Sequence, residues 1–243
     1  DYFNNRVSYF AIQHPHNHLT VTATSEIKVT PRSPVDLSNS PAWDRIHGLL
    51  LSRTDEESLS ARHFIPDSPL AGASPELADY TQNLFLPGQP VLEAVHSLMT
   101  HIFHDFDYVP GFTNITTSLD EVMHHRRGVC QDFAHVAIAG LRTLGLPARY
   151  VSGYLETRPP PGKPRLVGAD ASHAWFAIFV PSIGWVDFDP TNNTMPEDRH
   201  VTVAWGRDFT DVTPLKGVMF GSGDHKLTVS VDVAPIASED KNI

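Results

Sequence analysis

The chain holds a single cysteine, Cys130, in 243 residues. With one thiol no intrachain disulfide can form, and a zinc site built on paired cysteines is excluded. Basic residues are scarce as well. Eighteen Lys and Arg stand against 28 Asp and Glu, a formal charge of −10, and no basic cluster exceeds Arg126-Arg127. The electrostatic footprint of a nucleic-acid binder is therefore missing. Apolar runs are short: the one around Ala174 to Val180 falls far below the roughly 20 residues of a membrane-spanning helix, so no membrane contact is expected. What remains is a folded, globular composition, 41% hydrophobic and 19% charged with 20 prolines spread along the chain. Its length suits one large domain, or a catalytic domain with a smaller companion.

Leu19 to Thr30 alternates, with Leu19, Val21, Ala23, Ile27 and Val29 on one parity and Thr20, Thr22, Thr24, Glu26 and Lys28 among the others. That pattern predicts a half-buried strand, with Val7 to Ile12 as its partner across a turn at Asn17. Pro31 to Pro41 reads as a linker and Ser60 to Pro75 as an irregular connection. Leu92, Val95, Met99, Ile102, Phe103 and Phe106 recur at three- and four-residue steps, predicting a helix over Val91 to Phe106. Thr117 or Ser118 caps a short helix ending near His125, with Glu121 in its first turn. A further helix runs from Gln131 to Leu144 and is stopped by Gly145 and Pro147. Strand patterns follow at Arg149 to Leu155, Ala174 to Val180, Trp185 to Phe188, Val201 to Trp205 and Leu227 to Val233. Helices first and strands after predict an α+β fold with a largely antiparallel sheet.

The only thiol falls at the predicted N-terminus of the Gln131 to Leu144 helix. Unpaired N–H groups and the positive dipole end there favour a thiolate, and an oxyanion forming beside it. A thiolate nucleophile needs a base, and the base an orienting acceptor. Ser172-His173-Ala174-Trp175 puts His173 at the head of one strand, and Trp185-Val186-Asp187-Phe188-Asp189 ends the next in Asp189. The turn Pro181-Ser182-Ile183-Gly184 makes the two strands a hairpin. His173 and Asp189 share parity, so they share a face if the loop holds an odd number of residues or a bulge corrects the register.

Four separated blocks in this order, Arg127-Gly128-Val129-Cys130-Gln131-Asp132-Phe133-Ala134-His135, Gly145 to Tyr154, Ser172-His173-Ala174-Trp175 and Gly184-Trp185 to Asp189-Pro190-Thr191-Asn192, resemble the bacterial transglutaminase-like superfamily. The resemblance extends to Gly206-Arg207-Asp208-Phe209. It implies a papain-like core with a Cys130, His173, Asp189 triad carrying out acyl transfer or hydrolysis on protein or peptide amides through a thioester. The Cys130 backbone N–H is the expected first oxyanion donor, with Tyr108, Gln131 and Trp175 as the other candidates for oxyanion or substrate contact. Residues 1–40 resemble the later part of a small β domain that precedes the core in one bacterial subfamily. Residues 41–84 would then be a helical and irregular connection, and 85–243 the catalytic domain.

Other residues are weighed against simpler roles. Asp187 competes with Asp189 as orienter. Asp132 and His135 fit capping or loop-bonding roles, and Arg126 and Arg127 a solvated pair. Trp175 and Trp185 flank the triad, either as a hydrophobic wall or as ordinary core packing. His14, His16 and His18 alternate with no acidic residue among them, so neither a metal nor a cofactor is expected. A purely hydrolytic peptidase and a non-catalytic binding module on the same fold are the rival readings; the second predicts a broken triad. Partners are a protein or peptide substrate, and a homodimer through the edges of the partial β domain. A reactive free thiol suits a reducing compartment, so a cytoplasmic location is expected.

Overall fold

Leu92, Val95, Met99 and Ile102 line one stripe of a helix, and all four are buried. In the computed structural model, which describes residues 1–30, 34–157, 171–221 and 226–236, this helix is α4 (Val91–Asp105), after α1 (Trp43–Ser52), α2 (Glu56–Ala61) and α3 (Pro75–Gln82). Two short parallel strands, β1 (Asp107–Tyr108) and β2 (Arg127–Gly128), flank α5 (Leu119–His125). Ser118 caps α5, and Glu121 reaches back to the Ser118 N–H. This is the reciprocal arrangement that satisfies two orphan donors at once. The helix α6 (Cys130–Thr143) is buried at every residue from Asp132 to Arg142. It packs against α3, α4 and α5 on one side and two sheet strands on the other. Its C-terminus turns through Gly145, whose φ of +72° only glycine adopts freely.

The sheet follows: β3 (Ala148–Leu155), β4 (Ala171–Val180), β5 (Gly184–Phe188) and β6 (His200–Gly206), in the order β5-β4-β3-β6 and antiparallel throughout. Ala174, Phe176, Ile178 and Val180 join the main core. Trp175 and Ala177 join Val151 in a smaller cluster, as the two-residue period of a strand requires. Gly153 on β3 stands opposite His173 on β4 and Thr202 on β6, beside a register shift. A Cβ there would lie 2.1 Å from the Val201 carbonyl oxygen and 2.5 Å from the Trp175 ring. The missing side chain lets the indole lie across the strand.

Arg142, near the end of α6, is buried and ties the layers together. It donates to the carbonyl oxygens of Phe64, Ala71, Ala148 and Arg207 and to Ser68 Oγ. Burial pulls its pKa down to about 10, partly opposed by the Asp208 charge, so it stays a cation at neutral pH.

Three expected strands are absent among the described residues. Leu19 to Thr30 pairs with nothing among the described residues, and Val21, Ile27 and Val29 are exposed. Val7 to Ile12 is likewise unpaired. Alternation divides a segment into two faces, but a strand also needs a ladder partner, and a lone hairpin is marginal in water. The start of the chain instead meets the four-stranded sheet. Asn5 Nδ2 donates to the Trp205 carbonyl at 2.7 Å, and the Trp205 N–H donates to Asn5 Oδ1 at 3.0 Å. Leu227 to Val233 forms no strand either; Leu227 and Val229 are exposed, and Val231 makes only an isolated bridge. Among the described residues no helix is long and apolar enough to cross a membrane.

Candidate active site

Cys130 is the first residue of α6, where N–H groups lack intrahelical carbonyls. Its loop is held from both sides. Asp132 Oδ2 accepts from the Val129 N–H at 2.8 Å and from Thr113 Oγ1 at 2.6 Å. Asp132 therefore shapes the turn that carries the thiol, as its capping position suggested. Gly128, two residues ahead, has no room for a side chain, since a Cβ would meet Asp132 Oδ2 at 2.7 Å.

The three-residue turn Pro181-Ser182-Ile183 sets the β4–β5 register, pairing Val180 with Gly184 and Phe176 with Phe188. An odd loop puts His173 and Asp189 on one face, and they meet: His173 Nε2 lies 2.7 Å from Asp189 Oδ2. Asp189 is wholly buried. Its Oδ1 accepts from the Thr191 and Asn192 backbone N–H groups, and its Oδ2 also accepts from Asn192 Nδ2 at 2.7 Å. Burial alone would raise its pKa. Hydrogen bonds from His173, His200 and Asn192 overcome that and hold the carboxyl well below the usual range. For His173, burial acts to lower the pKa, but hydrogen bonds to Asp189 and Cys130, with their charges, raise it to about 9. With Nε2 on the carboxylate, Nδ1 is the ring nitrogen left for the thiol. The arrangement favours the imidazolium form of His173 at neutral pH.

Asp187 does not compete, because it accepts from Trp175 Nε1 at 3.3 Å. Trp175 departs from expectation: it is wholly buried with its N–H spent on Asp187, so it cannot offer a surface or a donor to substrate. Its ring instead packs against His173 and His200. Trp185 is not a wall of this site; it packs on Phe64 and Phe179, toward the far end of the hairpin. Tyr108 stands opposite Gly128 in the β1–β2 pair and is half exposed. Burial and then the Cys130 charge raise its pKa, which makes it a neutral O–H near the thiol. Gln131, the second residue of α6, is half-buried. Arg126 stacks over Tyr80 and Phe106 and pairs with Asp105 and Glu76, while Arg127 pairs with Asp107.

One residue escaped the sequence reading. His200, at the head of β6, places Nε2 3.0 Å from Asp189 Oδ2. Its sequence position gives only a faint signal: like His173, it is a histidine near the start of a strand of this sheet. His173, Asp189 and His200 offer ligand atoms within 4.8 Å of one another. The contacts to the carboxylate are hydrogen-bond lengths, shorter than the roughly 3.3 Å between ligands of a tetrahedral zinc with bonds of about 2.0–2.1 Å. Proton sharing accounts for the cluster without a cation.

His135 lies behind this site, buried on α6, with Nε2 accepting from the Phe209 N–H at 3.2 Å. Burial lowers its pKa to about 4. The unfolded chain therefore takes up a proton near pH 6.5 that the folded chain refuses until about pH 4, and stability falls across that window as pH drops. The raised His173 acts oppositely: its contribution is whole below pH 6.5 and is lost as pH rises toward 9. Stability should thus peak near pH 6.5, with His135 alone removing about 3 kcal/mol by pH 4. Urea midpoints across pH 4–9 check this. An acid limb that persists unchanged in His135→Gln would assign it elsewhere.

A family model described as the transglutaminase-like superfamily matches residues 78–190, which hold Cys130, His173 and Asp189 but not His200. An uncharacterized protein of Mycobacterium tuberculosis is 40% identical over 253 aligned residues, covering 98% of this chain and 77% of its own length. A protein-glutamine gamma-glutamyltransferase of Pseudomonas aeruginosa is 30% identical over 122 residues, half of this chain and 18% of that protein. Among solved structures, a candidate cysteine protease from Cytophaga hutchinsonii superposes with a TM-score of 0.55 at 28% identity, over 68% of this chain and 51% of that one.

Proposed function

The chain belongs to the transglutaminase-like superfamily of cysteine enzymes, and from that premise we propose that it transfers the acyl group of a protein or peptide carboxamide through a thioester on Cys130. The thiolate attacks the carboxamide carbon. The Cys130 N–H and the Tyr108 hydroxyl serve the oxyanion. His173 gives its Nδ1 proton to the departing amine as the C–N bond breaks, leaving the thioester. A second amine, or water, then attacks the thioester carbon and loses its proton to His173, and the Cys130 thiolate is released. An amine product is an isopeptide bond; a water product is a free acid. Asp189 fixes the imidazole and balances its charge throughout.

The observation that carries this reading is the buried 2.7 Å contact between His173 and Asp189 beside a helix-terminal thiol. The Pseudomonas relative's name supports glutamine as the acyl donor, and the Cytophaga neighbour's description supports hydrolysis. Mass spectrometry decides between them. Incubation with a glutamine-containing protein and a primary amine is expected to yield the amine adduct, whereas fragments or deamidation without adduct would make the enzyme a hydrolase. If iodoacetamide labels Cys130 no faster than a free thiol at pH 7, the chain is a binding module instead.

A further inference from the structure

We propose that His200 is a positioning residue of this chemistry: its Nε2–H shares Asp189 Oδ2 with His173, which fixes the carboxylate and divides its charge between two imidazoles.

The fold goes to some length to deliver this ring. β6 does not neighbour β4; β3 lies between them. A side chain at Gly153 would collide with the Val201 carbonyl and with Trp175. Because that position is bare, Trp175 lies across the central strand, and its indole meets His173 at 6.0 Å and His200 edge-on at 5.3 Å. The two imidazoles stand 5.9 Å apart, both directed at one oxygen.

Packing alone does not explain a histidine at this position. His200 Nδ1 is buried and has no hydrogen-bond partner among the described residues, which is a cost that a phenylalanine or leucine against Trp175 would avoid. What histidine supplies there, and an apolar ring does not, is a second imidazole N–H on Asp189 Oδ2, beside the Asn192 amide. The consequence is chemical. His173 must hold a proton beside the thiolate and then surrender it to the leaving amine. A carboxylate that faced one imidazole instead of two would grip that proton more tightly, and a general acid works best when its affinity for the proton is near the working pH.

The groups that face His173 are Cys130 from α6, Asp189 after β5 and His200 from β6. On its other side His200 lines a cleft of about 240 Å³ with Lys28, Asp187 and Glu197. The titration of His173 is therefore to be compared between variants at constant ionic strength.

This role rests on the Cys130–His173–Asp189 reading, and the test separates the two. ¹⁵N NMR of the full chain follows the His173 ring through its titration in wild type, His200→Leu and His200→Gln. The glutamine amide can replace the Nε2–H; leucine cannot. In His200→Leu the His173 midpoint is expected to rise by about half a pH unit or more, and turnover of a glutamine peptide with amine to fall about tenfold, with KM little changed. His200→Gln should restore both. If the leucine variant does not fold, His200→Phe, which keeps a ring against Trp175, takes its place. A His173 midpoint that is the same in all variants overturns the proposal, as does a glutamine variant that matches leucine. A shifted midpoint in a protein whose wild type forms neither adduct nor hydrolysis product would sink the acyl-transfer reading while leaving the charge division standing.

Discussion

Asp189→Asn is expected to lower kcat/KM by about 10³- to 10⁴-fold and to destabilise the chain by about 2–4 kcal/mol. The reason is donor counting. Oδ2 accepts from His173, His200 and Asn192, and Oδ1 from two backbone N–H groups. An asparagine must place its NH₂ against one set or the other. Turned toward Thr191 and Asn192, it opposes two backbone donors that cannot rotate. Turned toward the histidines, it forces His173 into the tautomer whose proton sits on Nδ1 and whose Nε2 accepts, abolishing the charged pair. Either way buried donors lose their acceptor. Circular dichroism melts and steady-state turnover read the two effects separately, and a variant that kept both near wild type would refute the network as drawn.

Gly153→Ala is the second large effect, expected to destabilise by about 3 kcal/mol or more and to suppress Cys130 reactivity with it. The added Cβ would stand 2.1 Å from the Val201 carbonyl oxygen and 2.5 Å from the indole of Trp175. A flexible side chain could yield; a backbone oxygen in a sheet and a wholly buried tryptophan cannot do so without moving β6. Displacing β6 withdraws His200 from Asp189. Gly48→Ala is the control. Gly48 lies in α1 with nothing within 4 Å of the new carbon, so it should be neutral or stabilising by up to about 1 kcal/mol. Equal melting temperatures for the two alanine variants would remove the steric argument.

Much of the site was legible because it is built from local rules. The thiol's place at a helix start follows from the apolar spacing that begins at Ala134. The shared face of His173 and Asp189 follows from parity and an odd turn. The Ser118–Glu121 cap follows from two residues three apart. His200 was hidden because its role depends on which strand sits at the sheet edge and on a tryptophan crossing a glycine, neither of which has a signature along the chain. Trp175, a candidate for substrate contact because it lies two residues from His173, goes inward for a related reason: the bare strand beside it admits the ring to the interior. The terminal segments misled in the opposite direction. Leu19 to Thr30 and Leu227 to Val233 carry the right alternation, but pairing is a property of two segments, and one segment's pattern cannot supply the other.

The Asn5 side chain offers a last consequence. β6 lies at the edge of the sheet, and an edge strand presents backbone donors and acceptors to any other extended chain. At Trp205 that invitation is already taken, since the Asn5 amide imitates one peptide unit of a neighbouring strand, giving and receiving as a backbone would. Asn5 thus occupies a docking position on β6, and a foreign strand can add there only by first evicting it.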